Sequence, residues 1–63
     1  MDYEITDIKP YKGHSVQKVQ KVDEIDGTRY GKPFYVVGDT DGELIGEEYR
    51  SVADAHRFID SIN

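Results

Sequence analysis

Asp41-Gly42, set between the apolar runs Phe34 to Val37 and Leu44 to Ile45, constrains this chain more than any other pair of residues. Aspartate and glycine tolerate the positive φ that tight hairpin turns demand, so FYVVGDTDGELIGEEY is predicted to be two antiparallel strands joined at the DG step. With Asp41 and Gly42 as a two-residue loop, Asp39 pairs with Leu44, Val37 with Gly46 and Tyr35 with Glu48. A four-residue loop from Asp39 to Gly42 slides the pairing by two. Both versions place Phe34, Val36, Ile45 and Tyr49 on one face, with Glu47 among them, and Tyr35, Val37 and Leu44 on the other. Only a loop with an odd number of residues reverses that division.

The strands run into Ser51, which carries the features of an N-cap, with Asp54 three residues on as a short capping box. A helix is expected from Val52. Val52, Ala55, Phe58, Ile59 and Ile62 recur at spacings of three and four and form one apolar stripe. A helix this short is unstable alone, so the stripe must lie on the sheet.

Sixty-three residues allow one small domain with a stability margin of about a few kcal/mol. There is no cysteine, which removes disulfides and thiolate metal sites, and the two histidines, His14 and His56, have no ligand-like spacing. No apolar run approaches the roughly 18 residues of a membrane span. Met1-Asp2-Tyr3-Glu4 lacks the character of a signal peptide, and a soluble, cytoplasmic protein is expected. The net charge of −5 is unevenly placed: residues 1–37 hold six acidic and six basic side chains, residues 38–63 seven acidic and two basic. A uniformly basic nucleic-acid footprint is therefore missing.

Residues 1–13 form an N-terminal arm or short strand, in which Tyr3 and Ile5 share a face and Pro10 imposes an extended or turn geometry on Lys9. His14 to Ile25 is ambiguous. Its valines at 16, 19 and 22 fit neither strand nor straight helix. Three valines in seven residues favour a strand with a bulge, while the Gln, Lys and Glu residues keep a helix open. As a strand it bears Lys18 and Lys21, either lysines guarding a sheet edge or a basic ridge for phosphates. Asp26 to Pro33 is expected to be a long loop with Arg29 and Tyr30 at its tip, two residue types common in interface hot spots.

Chemistry-bearing patterns are sparse. With Gly42 at the sixth position of a calcium loop, Asp39, Asp41 and Glu48 fall at ligand positions, but Val37 occupies the first and the flanks are strands. A plain turn explains the residues better. Ser15, His14, His56 and the carboxylates combine on paper into a triad, but catalysis needs a pocket that excludes water and one small sheet with one helix can hardly enclose one; His56 beside Phe58 and Ile59 belongs at a core boundary, and no glycine pattern cradles phosphate. No catalytic residue, metal or cofactor is implied.

The expected fold is α+β: a three-stranded antiparallel sheet over residues 14–51, four-stranded if the N-terminal segment joins it, with the helix of residues 52–62 packed on one face. One helix covers one face only. The bulkier set of Phe34, Val36 and Ile45 is assigned to the core, leaving Tyr35, Val37 and Leu44 as an apolar patch. Either the arm residues Tyr3, Ile5, Ile8 and Tyr11 fold over it, a homodimer buries it, or it recognises another molecule.

FYVVGDTDGELIGEEYRSVADAHRFID resembles small reading frames of phages and prophages: strand, DG turn, strand with an I-G-E step, and a serine-capped helix ending F-I-D. The resemblance implies an accessory protein that binds and modulates a host protein, and it assigns no functional residue. The leading expectation is thus a non-enzymatic protein-binding module using Tyr35, Val37, Leu44, Glu43, Glu47, Glu48, Arg29 and Tyr30, its acidic C-terminal half facing a basic partner. The alternatives are nucleic-acid binding through Lys18, Lys21, Arg29, Lys32 and Tyr35, and a structural homodimer.

Overall fold

The computed structural model describes residues 2–62. A strand β1 (Asp2–Tyr11) turns at Lys12-Gly13 into β2 (His14–Val22). Both turn residues have positive φ, 50° and 82°, and Tyr11 pairs with His14 across them. That is the geometry of a two-residue hairpin turn whose twist matches the strands. A loop over residues 23–28 leads to β3 (Arg29–Gly38), a turn leads to β4 (Leu44–Tyr49), and helix α1 (Val52–Ile62) closes the chain. The four strands form one antiparallel sheet in the order β1-β2-β3-β4, so β1 and β4 are its edges. The N-terminal segment therefore joins the sheet as a full strand, apart from Met1, which lies outside the described residues.

The β3–β4 turn corrects the expected register. Val37 pairs with Ile45 and Gly38 with Leu44, and the backbone N–H of Asp39 donates to the Glu43 carbonyl at 2.8 Å. The loop proper is Thr40-Asp41-Gly42, three residues, with Gly42 at φ 89° and its N–H donating to the Asp39 carbonyl at 3.1 Å. This is a turn followed by a left-handed bulge residue, the usual three-residue alternative to a two-residue DG loop. The Asp39 carboxylate stabilises it by accepting the N–H groups of Asp41 and Glu43, each at 2.9 Å. An odd loop moves the partners to opposite faces, so Tyr35 and Val37 now lie with Ile45 and Tyr49 beneath the helix.

The helix follows its sequence signals. Ser51 Oγ accepts the N–H of Asp54 at 3.1 Å, and the Ser51 carbonyl accepts that of Ala55 at 3.1 Å. Ala55 and Ile59 are fully buried and meet Val16 and Val37, with Ile8, Tyr11, Tyr35, Ile45, Tyr49 and Phe58 packed around them. Close approach of α1 to β4 depends on Gly46, at φ 76°. A Cβ there would lie 2.5 Å from the Tyr49 hydroxyl and 2.8 Å from the Phe58 ring. Those two rings stack with centroids 5.4 Å apart, and the Tyr49 hydroxyl accepts the Glu47 N–H at 3.2 Å.

His14–Val22 is a strand throughout, and its three-residue valine spacing has a simple origin. In a strand, residues three apart point to opposite faces, so Val16 lies in the helix-side core and Val19 on the other side, both buried. The irregularity expected there belongs instead to the neighbouring strand. Val19 pairs with Phe34 and Lys21 with Tyr30, leaving Gln20 opposite Gly31, Lys32 and Pro33. Proline supplies no ladder donor, and Gly31 takes φ 71°. The Gln20 side chain, 8% exposed, fills the gap by donating its amide to the Tyr30 carbonyl at 2.8 Å and to that of Gly31 at 3.3 Å. What was expected to be a loop over residues 26–33 is thus mostly bulged strand.

Candidate open-face interaction surface

At roughly 1.5 Å per residue an eleven-residue helix is about 16 Å long, and the molecule measures 41 Å along its longest axis. The helix covers one end of one face. Beyond it, on the same face, Glu4, Thr6, Lys18, Gln20 and Arg29 line a polar depression in which Arg29 forms a two-pronged ion pair with Glu4, the shortest contact being 2.8 Å.

The opposite face has no covering element among the described residues. Register and alternation arrange it in rows across β1, β2 and β3: Tyr3, Lys21 and Tyr30; then Ile5, Val19 and Phe34; then Asp7, Gln17 and Val36; then Ser15 and Gly38, continued by Leu44 on β4. The Gln17 side chain donates to Asp7 at 2.9 Å, confirming that these two share the face. Tyr3 is 51% exposed, Ile5 59%, Tyr30 41% and Leu44 66%, whereas Val19 is buried by its row neighbours. The result is an apolar band two rows deep, with a lysine at one end and an amide–carboxylate pair at the other.

This arrangement redistributes the residues singled out by sequence. Val37 is completely buried and Tyr35 packs against the core, so neither belongs to the open face. Phe34 and Val36, expected inside, lie on the open face beside Leu44. Leu44 and Tyr30 are exposed as expected, and Glu43, Glu47 and Glu48 are exposed along the β4 edge. Arg29 is committed to Glu4 on the helix side. The arm does not fold over the patch: Ile8 and Tyr11 turn towards the helix, and Tyr3 and Ile5 enlarge the open face. Pairing of Tyr3 and Ile5 with Lys21 and Val19 is long-range information that a strand of unknown register could not announce.

The basic ridge is divided in the same way. Lys18 pairs with Thr6 and Tyr35 on the helix side, Lys21 lies on the open face, and Lys32 protrudes from the bulge. Lys18 and Lys21 are three positions apart, an odd spacing that sends their side chains to opposite faces. Five residues suggested for nucleic acid thus do not converge.

Two other clusters are structural. Tyr11 stacks on His56 at 3.9 Å and donates its hydroxyl to Asp60 at 3.0 Å, while Lys12 Nζ lies 2.5 Å from the same carboxylate. The Lys12 hydrogen bond, helped by Tyr11, holds the Asp60 carboxyl below its ordinary pKa, and the reciprocal bond raises that of Lys12. This latch ties the first hairpin to the helix and gives His56 the boundary position expected for it. In the 23–28 loop, Asp23 accepts the N–H of Ile25 at 2.8 Å, and Thr28 hydrogen bonds lower the pKa of Asp26. Ile25, 96% exposed at that loop, escaped the sequence reasoning entirely.

No helix is long and apolar enough to cross a membrane among the described residues. A scan of protein-family models finds no match, and searches of curated proteins and of solved structures find none either.

Proposed function

We propose that the chain is a non-enzymatic protein-binding module and that its contact surface is the open face of the sheet. The observation that supports this is the apolar band of Ile5, Tyr30, Phe34, Val36 and Leu44, of which the fold leaves Ile5, Tyr30 and Leu44 exposed and Phe34 and Val36 half-buried, although its own helix covers an equivalent band on the other side. Exposed tyrosines beside aliphatic side chains combine contact area with low ordering cost, the composition found at the centre of protein interfaces. Glu43 at the border adds charge selectivity at the rim. The phage-like pattern of the C-terminal half supports a role as an accessory protein that modulates its target by occupying it.

The test is a tagged pull-down, with and without nuclease, from cells that also express the untagged chain, comparing the natural sequence with Ile5→Glu. A protein retained in stoichiometric amount after nuclease and lost from the Ile5→Glu sample is the expected result. Retention that depends on nucleic acid, or that ignores Ile5→Glu, overturns the reading.

A further inference from the structure

Building on that reading, we infer that the protein seated on the open face is a second copy of this chain, packed sheet against sheet about a two-fold axis. A symmetric pair requires a surface complementary to itself, and the order of the rows provides one. Ile5, Val19 and Phe34 form an apolar middle row. On one side lies the row of Tyr3, Lys21 and Tyr30, on the other that of Asp7, Gln17 and Val36.

A two-fold axis in the plane of the sheet, perpendicular to the strands and passing through the middle row, preserves each strand's lateral position and reverses its direction. It lays Ile5, Val19 and Phe34 on their own counterparts. It also carries Lys21 of each copy over Gln17 of the other, one strand spacing from Asp7, and Tyr30 over Val36. Tyr3 comes to lie over Asp7, so the lysine of one copy and the carboxylate of the other are diagonal neighbours at two symmetry-related places, while apolar side chains meet apolar side chains at the centre. A two-fold axis running along β2, which keeps the strands parallel, would set Lys21 on Lys21 and carry each Asp7 over Val36 of the other copy, so that the lysines repel and each carboxylate faces an aliphatic side chain. Packed sheets with strands nearly aligned are the arrangement that sheet twist permits, with side chains interdigitating about 10 Å apart.

The size of the face sets the strength. Three strands about 4.8 Å apart and four rows about 6.7 Å apart offer roughly 400 Å² per copy. That is below the roughly 800 Å² per partner of a standard interface, and so the dimer is one that forms in the micromolar range and above. Each copy keeps its helix, its latch and its acidic β4 edge on the outside.

Sedimentation equilibrium of the full chain, from micromolar to submillimolar concentration, tests the pairing together with three variants. The natural chain is expected to approach twice its monomer mass as concentration rises. Ile5→Glu, at an exposed position, places two carboxylates at the axis and should leave a monomer with an unchanged far-ultraviolet circular dichroism spectrum. Lys21→Glu should weaken association by about tenfold or more, and combining it with Asp7→Lys should restore it, because the swap preserves the opposed charges. A monomer at every concentration overturns the second copy as occupant, and the pull-down then decides separately whether a different protein sits on the face. A dimer indifferent to Ile5→Glu, or one that the charge swap fails to rescue, overturns the proposed pairing, and open-ended growth in mass overturns its closed symmetry.

Discussion

On the helix side of the sheet Val16, Val37 and Ile59 are at most 1% exposed, whereas on the other side Ile5 and Leu44 keep 59% and 66% of their surface in water. The residue types are the same. What separates the faces is one short element delivered by Ser51, placed over the end of the sheet where Val16, Val37 and Ile45 meet. Alternation guarantees that a strand with apolar residues on both sides has two faces to cover, and the described residues supply one cover. The uncovered side is then a surface whose exposed apolar residues, Ile5 and Leu44 among them, contribute little to folding and are available for association, while Val19 is buried within it.

The largest break in that contrast is expected at Gly46. Gly46→Ala forces a left-handed backbone onto a residue with a Cβ and drives that Cβ into the Tyr49 hydroxyl and the Phe58 ring. The two costs together are roughly 2–4 kcal/mol, comparable to the whole margin of so small a domain. Chemical denaturation should show the variant largely unfolded in water; a midpoint close to that of the natural chain would mean that the helix is not seated against this glycine.

Of comparable size is the larger arm of a matched pair that measures the faces directly. Ile59→Ala empties a fully buried site and should cost about 2–5 kcal/mol. Ile5→Ser removes an aliphatic side chain that is mostly solvated, and at a concentration too low for association it should change stability by no more than about 0.5 kcal/mol. Equal losses at the two positions would abolish the distinction between a folding face and a binding face.

These predictions rest partly on features that were legible in the sequence and partly on ones that were not. The helix limits, its cap and its apolar stripe are local, encoded within eleven residues and one serine, and they appear where the pattern puts them except at Ile62, which the stripe assigns to the sheet but which is 47% exposed. Antiparallel pairing around Asp41-Gly42 is equally local. The assignment of faces was not, because a DG step serves both a two-residue loop and a three-residue loop ending in a bulge, and the parity of the loop decides which residues go inside. The Asp39 carboxylate, bonded to the N–H groups of Asp41 and Glu43, tips that choice, and no periodicity reports it. Lys12-Gly13 was obscured for a different reason. A lysine at positive φ is an uncommon first residue for such a turn, and without it the ten residues of β1 looked like an arm. Consequently Ile5, central to the candidate site, gained its meaning only from its pairing with Val19.

Ser51→Ala is expected to have a smaller effect, about 1 kcal/mol, by releasing the N–H of Asp54 at the helix start. Since the helix is what distinguishes the two faces, fraying its first turn should raise amide exchange at Asp54 and Ala55 before it affects β1 or β2. Exchange that rises uniformly across the sheet would show that helix and sheet unfold as one unit, even at the helix end.

The smallest expected effect concerns the latch that fastens the first hairpin to the helix, and its sign follows from the two titrations. Asp60 has its folded pKa lowered from 3.8, chiefly by the Lys12 hydrogen bond, so its contribution is present above pH 3.8 and disappears as pH falls through the folded value. Lys12 has its folded pKa raised from 10.5, so its share is present below pH 10.5 and is lost as pH rises through the folded value. Between those limits the latch is constant. Asp60→Asn keeps an acceptor for the Tyr11 hydroxyl but removes the charge, and it should lower Tm slightly at neutral pH, by an amount that added salt erases because the pair is exposed. The Tm curves of the two proteins should converge on the acid side of pH 3.8 and again on the alkaline side of pH 10.5. A difference that persists into acid would assign the loss to the hydrogen-bond geometry at Asp60 instead of to charge, and no difference at neutral pH would leave the hairpin held to the helix by the stack of Tyr11 on His56.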